Sequence, residues 1–125
     1  MKEVLISNTT QPEVQTVKAQ YCDSFKCRLR GLMFRKRIAF KEGLLLVQAK
    51  QNRLDAGIHM FAVFTDLAVI WLNNEQEVVD TVLARSWRPF YLPQQPARYI
   101  LELAPERLND FQVGDKLNFE THFAN

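Results

Sequence analysis

The residues with the widest chemical range in this 125-residue chain are His59 and Glu102. A neutral imidazole near a desolvated carboxyl group can have its pKa moved toward working pH, which is what general acid–base transfer requires. His59 lies in the apolar segment Ile58 to Phe64, and Glu102 lies on a strand face opposite Tyr99, Leu101 and Leu103, alongside Ile100. The plainer reading gives His59 one structural hydrogen bond and pairs Glu102 with an arginine. No nucleophile motif accompanies them. Ser86 precedes Trp87-Arg88 without the glycines of a nucleophile elbow, and Gly31, Gly43, Gly57 and Gly114 are too scattered for a phosphate loop. No catalytic residue is therefore assigned; a small hydrolase or lyase using His59 and Glu102 is the enzymatic alternative.

A second candidate is electrostatic. Lys26, Arg28, Arg30, Arg35, Lys36 and Arg37 carry six of the 16 basic residues with no acid between them, leaving 10 basic against 14 acidic residues elsewhere. Clustered guanidinium groups attract anions and bind them bidentately, so this segment suits phosphate, nucleic acid or an acidic partner. Only Phe25 and Phe34 lie near it as stacking residues, and the plainer reading is solvated charge with Arg28 or Arg35 tied to a carboxylate such as Glu102. Nucleic acid is not the expected partner.

Trp87, Arg88, Phe90 and Tyr91 fall on a loop with Pro89, Pro93 and Pro96, where aromatic rings give contact area for a ligand or else cap an open barrel end. Cys22 and Cys27 are five apart and lack C-x-x-C spacing. Reduced structural thiols are expected, since a disulfide would close a very short loop and would not persist in a reducing cytosol. A metal site would need both sulfurs to meet His59 or His122, and neither metal nor cofactor is expected.

These groups must be positioned by strands. Val17, Ala19 and Tyr21 alternate with Lys18 and Gln20, the period of a strand with one buried face, and this is read as the first strand. Leu44 to Val47 suits a buried strand, and Ile58 to Phe64 and Leu67 to Leu72 read as two extended segments. The polar turn Asn73 to Gln76 joins Leu67–Leu72 to Val78–Leu83 as an antiparallel hairpin. Tyr99 to Leu103 resumes strand character, Pro105 starts a helical turn through Phe111, and Leu117 to Phe123 alternates as a last strand. Leu29, Leu32 and Met33 at helical spacing predict a helix over Lys26 to Arg37, weakened by Gly31.

At 47% hydrophobic and 24% charged, the composition is that of one globular domain spanning 1–125 that packing alone can stabilise. The expected fold is mainly β, an antiparallel β-sandwich or partly closed barrel with one or two short helices. The early apolar run Val4-Leu5-Ile6 is too short for a leader or a membrane span, so a cytoplasmic location and no membrane partner are expected.

The run RLRGLMFR, Arg28 to Arg35, followed by Glu42-Gly43-Leu44-Leu45, resembles the family called domain of unknown function 192. Further segments fit in order: IHMFAVFTDLAVIWL from Ile58 to Leu72, ARYILEL from Ala97 to Leu103, and VGDKL from Val113 to Leu117. The resemblance covers about residues 22–119 and implies a compact β-sandwich or barrel with no established activity. It departs where the family has a proline and, two residues on, an aspartate; here these are Asp66 and Ala68, so Asp66 is a candidate to replace the aspartate. Glu106 and Arg107 stand where a small residue and a glycine are usual.

The expected function is a binding or accessory module for a small molecule or protein partner. Its candidate contacts are Arg28, Arg35, His59, Trp87, Arg88 and Glu102.

Overall fold

The computed structural model describes residues 2–123. Its elements are β1 (Lys2–Asn8), β2 (Val17–Cys22), α1 (Phe25–Arg30), β3 (Glu42–Asn52), β4 (Leu67–Leu72), β5 (Val78–Ala84), β6 (Ala97–Leu103), a 3-10 turn (Pro105–Asp110) and β7 (Leu117–Phe123). The strands form a sheet in the order β5-β4-β6-β3-β2-β1-β7, curled into a half-barrel, as the mainly-β reading anticipates.

Each strand follows from its residues. β4, LAVIWL, is buried at every position, because a central strand is covered on both faces and so loses the alternation of a one-sided strand. β4 and β5 pair as the expected hairpin, with Val69 opposite Val82. β1 precedes the strand read as first. It buries Val4, Ile6 and Asn8 on one face and is held from both sides, with Val4 opposite Ala19 of β2 and Thr121 of β7. Its short apolar run carries too little periodicity to be read alone.

Two apolar layers result. Leu45, Val47, Ala68, Ile70, Leu72, Leu101 and Leu103 face one side with Val4, Ile6, Val17 and Leu117. This is the inside of the curl. Backbone bonds from Val78 N to the Asp115 carbonyl (2.8 Å) and from Leu117 N to the Gln76 carbonyl (2.9 Å) draw the two ends of the sheet together around it. Leu44, Leu46, Val69, Trp71 and Ile100 face the other side, where loops cover them.

The cover follows from one departure from an all-antiparallel sheet. β2 and β3 pair in parallel, Ala19 opposite Gly43, and parallel neighbours need a long crossover. Residues 23–41 are that crossover, and they carry α1 and the basic segment over the outer layer. The helix is shorter than the predicted span from Lys26 to Arg37. Ser24 caps it by accepting from Cys27 N (3.1 Å), and it stops at Gly31, whose φ of 50° no other residue adopts at low cost. Beyond Gly31, Leu32 is buried, while Leu29 stays exposed.

The segment Ile58 to Phe64 is likewise not a strand. Ile58 exchanges both backbone bonds with Tyr91 (2.9 Å each), and the chain then turns irregularly, with Ala62 at φ 57°. That path puts Met60 and Val63 into the outer layer and turns Phe61 and Phe64 outward. The Trp71 indole N–H donates to the Ala56 carbonyl (2.8 Å), fastening this loop to the sheet.

The cysteines correct an expectation. β2 ends at Cys22 and the first turn of α1 doubles back over it, so the Cα atoms of Cys22 and Cys27 lie 5.7 Å apart and the two sulfurs form a disulfide. The short loop is accommodated because a turn and a helix start, rather than extended chain, separate the two residues.

Candidate functional site

Between α1 and the outer layer lies a pocket of about 630 Å³. Leu46, Ile58, Val63, Leu67 and Ile100 supply its apolar wall, α1 and Gly31 its roof, and Gln48 and Glu102 its buried polar groups. Pockets of this size hold small organic ligands.

Glu102 reaches it because of strand parity. On β6 it shares a face with Ile100, and its register partner on β3 is Leu44. The side chain is 4% exposed, and its Oε1 has no hydrogen-bond partner. Burial raises its pKa from the ordinary 4.5 to about 7, because an ionised carboxylate loses its hydration there. Gly31 roofs this atom with bare backbone; a Cβ at that position would sit 3.7 Å from Oε1. The expected arginine partner is absent among the described residues, which corrects the ion-pair reading.

Arg28 also lines the pocket, but its Nη1 donates to two carbonyls, Asp23 (2.6 Å) and Val47 (3.2 Å). It clamps α1 to β3. Arg35 lies outside the pocket and pairs with Glu42 (2.7 Å) on the exposed side of the crossover. The basic residues therefore do not share one helix face, since the helix ends at Arg30.

His59 lines the pocket with both ring nitrogens engaged. Nδ1 accepts from Phe61 N (3.2 Å), which leaves Nε2 to donate to the Leu29 carbonyl (2.9 Å). An imidazole held in this way ties the loop to α1, and neither nitrogen is open to relay a proton.

Trp87 and Arg88 lie apart from the pocket. The Trp87 ring packs against Phe61 (5.3 Å, edge-on) and Phe64 (5.7 Å), and all three rings remain substantially exposed, as does Arg88. Asp66 does not enter the pocket either. Its carboxylate accepts from Ser86 N (2.8 Å) and pairs with Arg85 (3.2 Å), holding the turn that carries Trp87. Ala68 faces the inner layer, so an aspartate there would point away from the pocket.

Two further buried polar residues, Gln48 and Arg107, are not singled out by the sequence. Gln48, on β3, is 6% exposed; its amide nitrogen donates to the Asp55 carbonyl and its Oε1 is unpartnered. A single glutamine at the end of an apolar run carries no sequence signal of this. Arg107 is fully buried: Nε binds Asp110 (2.6 Å), Nη1 the Phe40 carbonyl (2.9 Å) and Nη2 the Gln15 carbonyl (2.6 Å), with the guanidinium 4.4 Å from the Phe40 ring centre. Its position, where the resembled family has a glycine, was the one available hint. The side chain of His122 lies outside the described residues, and the two sulfurs, being bonded to each other, offer no thiolate.

Comparison with known proteins agrees with this architecture. The fold is shared with a crystal structure from Sinorhizobium meliloti called a "putative transcription regulator" (TM-score 0.82, 18% identity, 95% of this chain and 94% of that one). It is shared also with a protein of unknown function from Novosphingobium aromaticivorans (TM-score 0.79, 19% identity, 93% and 83%). In sequence, the chain is 35% identical over 119 residues to a UPF0127 protein of Thermococcus sibiricus, covering 93% of this chain and 75% of that one. It is 34% identical over 115 residues to a UPF0127 protein of Pyrococcus furiosus, covering 90% and 95%. The family model for domain of unknown function 192, described as "Uncharacterized ACR", matches residues 6–119, a span that includes β2 to β6 and every pocket residue; the chain belongs to that family.

Proposed function

We propose that this protein is a binding module that takes a small molecule into the pocket between α1 and the outer layer of the sheet. The observation that carries the reading is the buried, unpartnered Glu102 beneath the bare backbone of Gly31. A carboxyl group placed there costs stability unless something occupies its acceptor. The acid–base alternative is disfavoured by the two bonds that hold His59. The nucleic-acid alternative is disfavoured by the division of the basic segment between an internal clamp at Arg28 and an ion pair at Arg35.

Among the described residues no helix is long and apolar enough to cross a membrane. The Cys22–Cys27 bond suits an oxidising compartment, or the cytosol of a hyperthermophile, better than the ordinary cytoplasm expected from sequence.

Thermal-shift screening of small amphiphilic molecules tests the binding role. A ligand of the pocket raises Tm through its preference for the folded state. The variant Leu29→Asp places a charge on an exposed residue of the pocket lining. It is expected to abolish the shift while leaving the unliganded Tm nearly unchanged; a shift that survives it places the ligand elsewhere.

A further inference from the structure

The chemistry of the unsatisfied groups narrows the ligand. Among the described residues, two buried side-chain polar atoms lack a partner, Gln48 Oε1 and Glu102 Oε1. Both are acceptors, and both residues line the same pocket. Buried acceptors are ordinarily paired, so the missing partner is a donor. The two side chains rise from the same face of neighbouring strands, with Leu46 and its register partner Ile100 lying between them. An occupant that serves Glu102 is therefore apolar where it lies on Leu46 and Ile100 and bears a donor at the end that meets the carboxyl group.

We propose that the pocket takes a small amphiphile ending in a primary amine, whose ammonium group donates to Glu102 Oε1 while its apolar body lies on Leu46 and Ile100. This rests on the binding role argued above. An ammonium supplies donors where the unpartnered buried atoms are acceptors, and its charge matches the form of Glu102 that a donor stabilises. Gly31 places only bare backbone over the carboxyl oxygen, where a Cβ would sit 3.7 Å from it, so no side chain at this position crowds a head group. The other ionisable groups facing the pocket are Arg28 and Arg30 from α1, Lys50 from β3, and Asp55 and His59 from the covering loop. Arg28 is occupied by two carbonyls, and Arg30 and Lys50 are exposed at the mouth, so an acid attracted to them is the rival occupant.

The test uses three probes that share a phenylethyl group, 2-phenylethylamine, 2-phenylethanol and 3-phenylpropanoate, titrated by calorimetry into the intact, oxidised protein. The amine is expected to bind at least tenfold more tightly than the alcohol, and that preference is expected to vanish in Glu102→Leu, a variant whose folding is checked by its melting curve. Binding of the amine at pH 6 should also release protons, seen as a heat that depends on the buffer's ionisation enthalpy, because the ammonium selects the carboxylate. Equal binding of amine and alcohol, abolished by Leu29→Asp, would overturn the amine while leaving the pocket as a binding site. Tighter binding of the acid, insensitive to Glu102→Leu, would assign the site to the mouth cations and overturn the proposal. No binding of any probe would overturn it too, and the acceptors would then be served by water alone.

Discussion

Among the described residues three charged side chains are buried, Arg107, Glu102 and Asp115, and the surroundings of the first two differ completely. Arg107 directs its guanidinium at a carboxylate and two carbonyls and stacks on Phe40, so its charge is neutralised and its N–H groups are spent on protein. Glu102 has neither ion pair nor hydrogen bond at Oε1 and faces a pocket. Burial of a charge is tolerable when paired and costly when not. The first is therefore a clamp, joining the chain before β2 and the crossover to the 3-10 turn, while the second is a group held ready for a partner that the chain does not supply.

The largest effect expected from testing this contrast is at the clamp. Arg107→Met leaves the carbonyls of Gln15 and Phe40 unpaired and is expected to cost about 3–5 kcal/mol in urea unfolding, the range for breaking a buried ionic network. A loss below about 1 kcal/mol would show that water replaces the guanidinium and would remove the distinction between the two residues.

Glu102 should behave in the opposite sense. Its folded pKa lies above its unfolded one, so the native state holds the proton more tightly, and its contribution is best below pH 4.5 and is lost as pH rises through about 7. A rise of that size corresponds to about 3 kcal/mol. Glu102→Gln should accordingly match the parent near pH 4 and exceed it by up to about 3 kcal/mol at pH 8, measured as the difference between unfolding curves at the two values. A variant less stable than the parent at pH 8 would mean that the carboxylate is satisfied after all.

The disulfide is intermediate. Opening a loop this short should cost about 2 kcal/mol on the chain-entropy estimate, so Cys22→Ser with Cys27→Ser should lower the urea midpoint accordingly. Since α1 roofs the pocket, the same pair should weaken ligand binding more than Arg35→Ala does. That last change removes an ion pair with both partners about half exposed, and should alter stability by about 0.5 kcal/mol or less, mostly at low salt.

Much of the strand pattern was legible because burial on one face imposes a period of two. The hairpin of β4 and β5, the resumption at β6, the turn after Pro105 and the alternation of β7 all carry that signal in their own residues. Parity likewise puts Glu102 beside Ile100 and across from Leu101. The sequence pattern runs past the true helix end because Leu32 and Met33 continue a helical spacing after Gly31 has ended the helical backbone. Ile58 to Phe64 resembles a strand in sequence because a loop packed on a sheet buries apolar residues too, without repeating a strand's geometry.

What the sequence by itself determined is a mainly β chain with a basic crossover and a lone acid in an apolar strand, since residue type and local period decide these. Tertiary structure alone decided that β2 and β3 run parallel, that Cys22 meets Cys27, and that Arg107 finds three acceptors while Glu102 finds none. Such facts depend on which distant segments share a surface. A residue carries its charge in its side chain, but whether that charge is paired depends on groups brought to it from elsewhere in the chain.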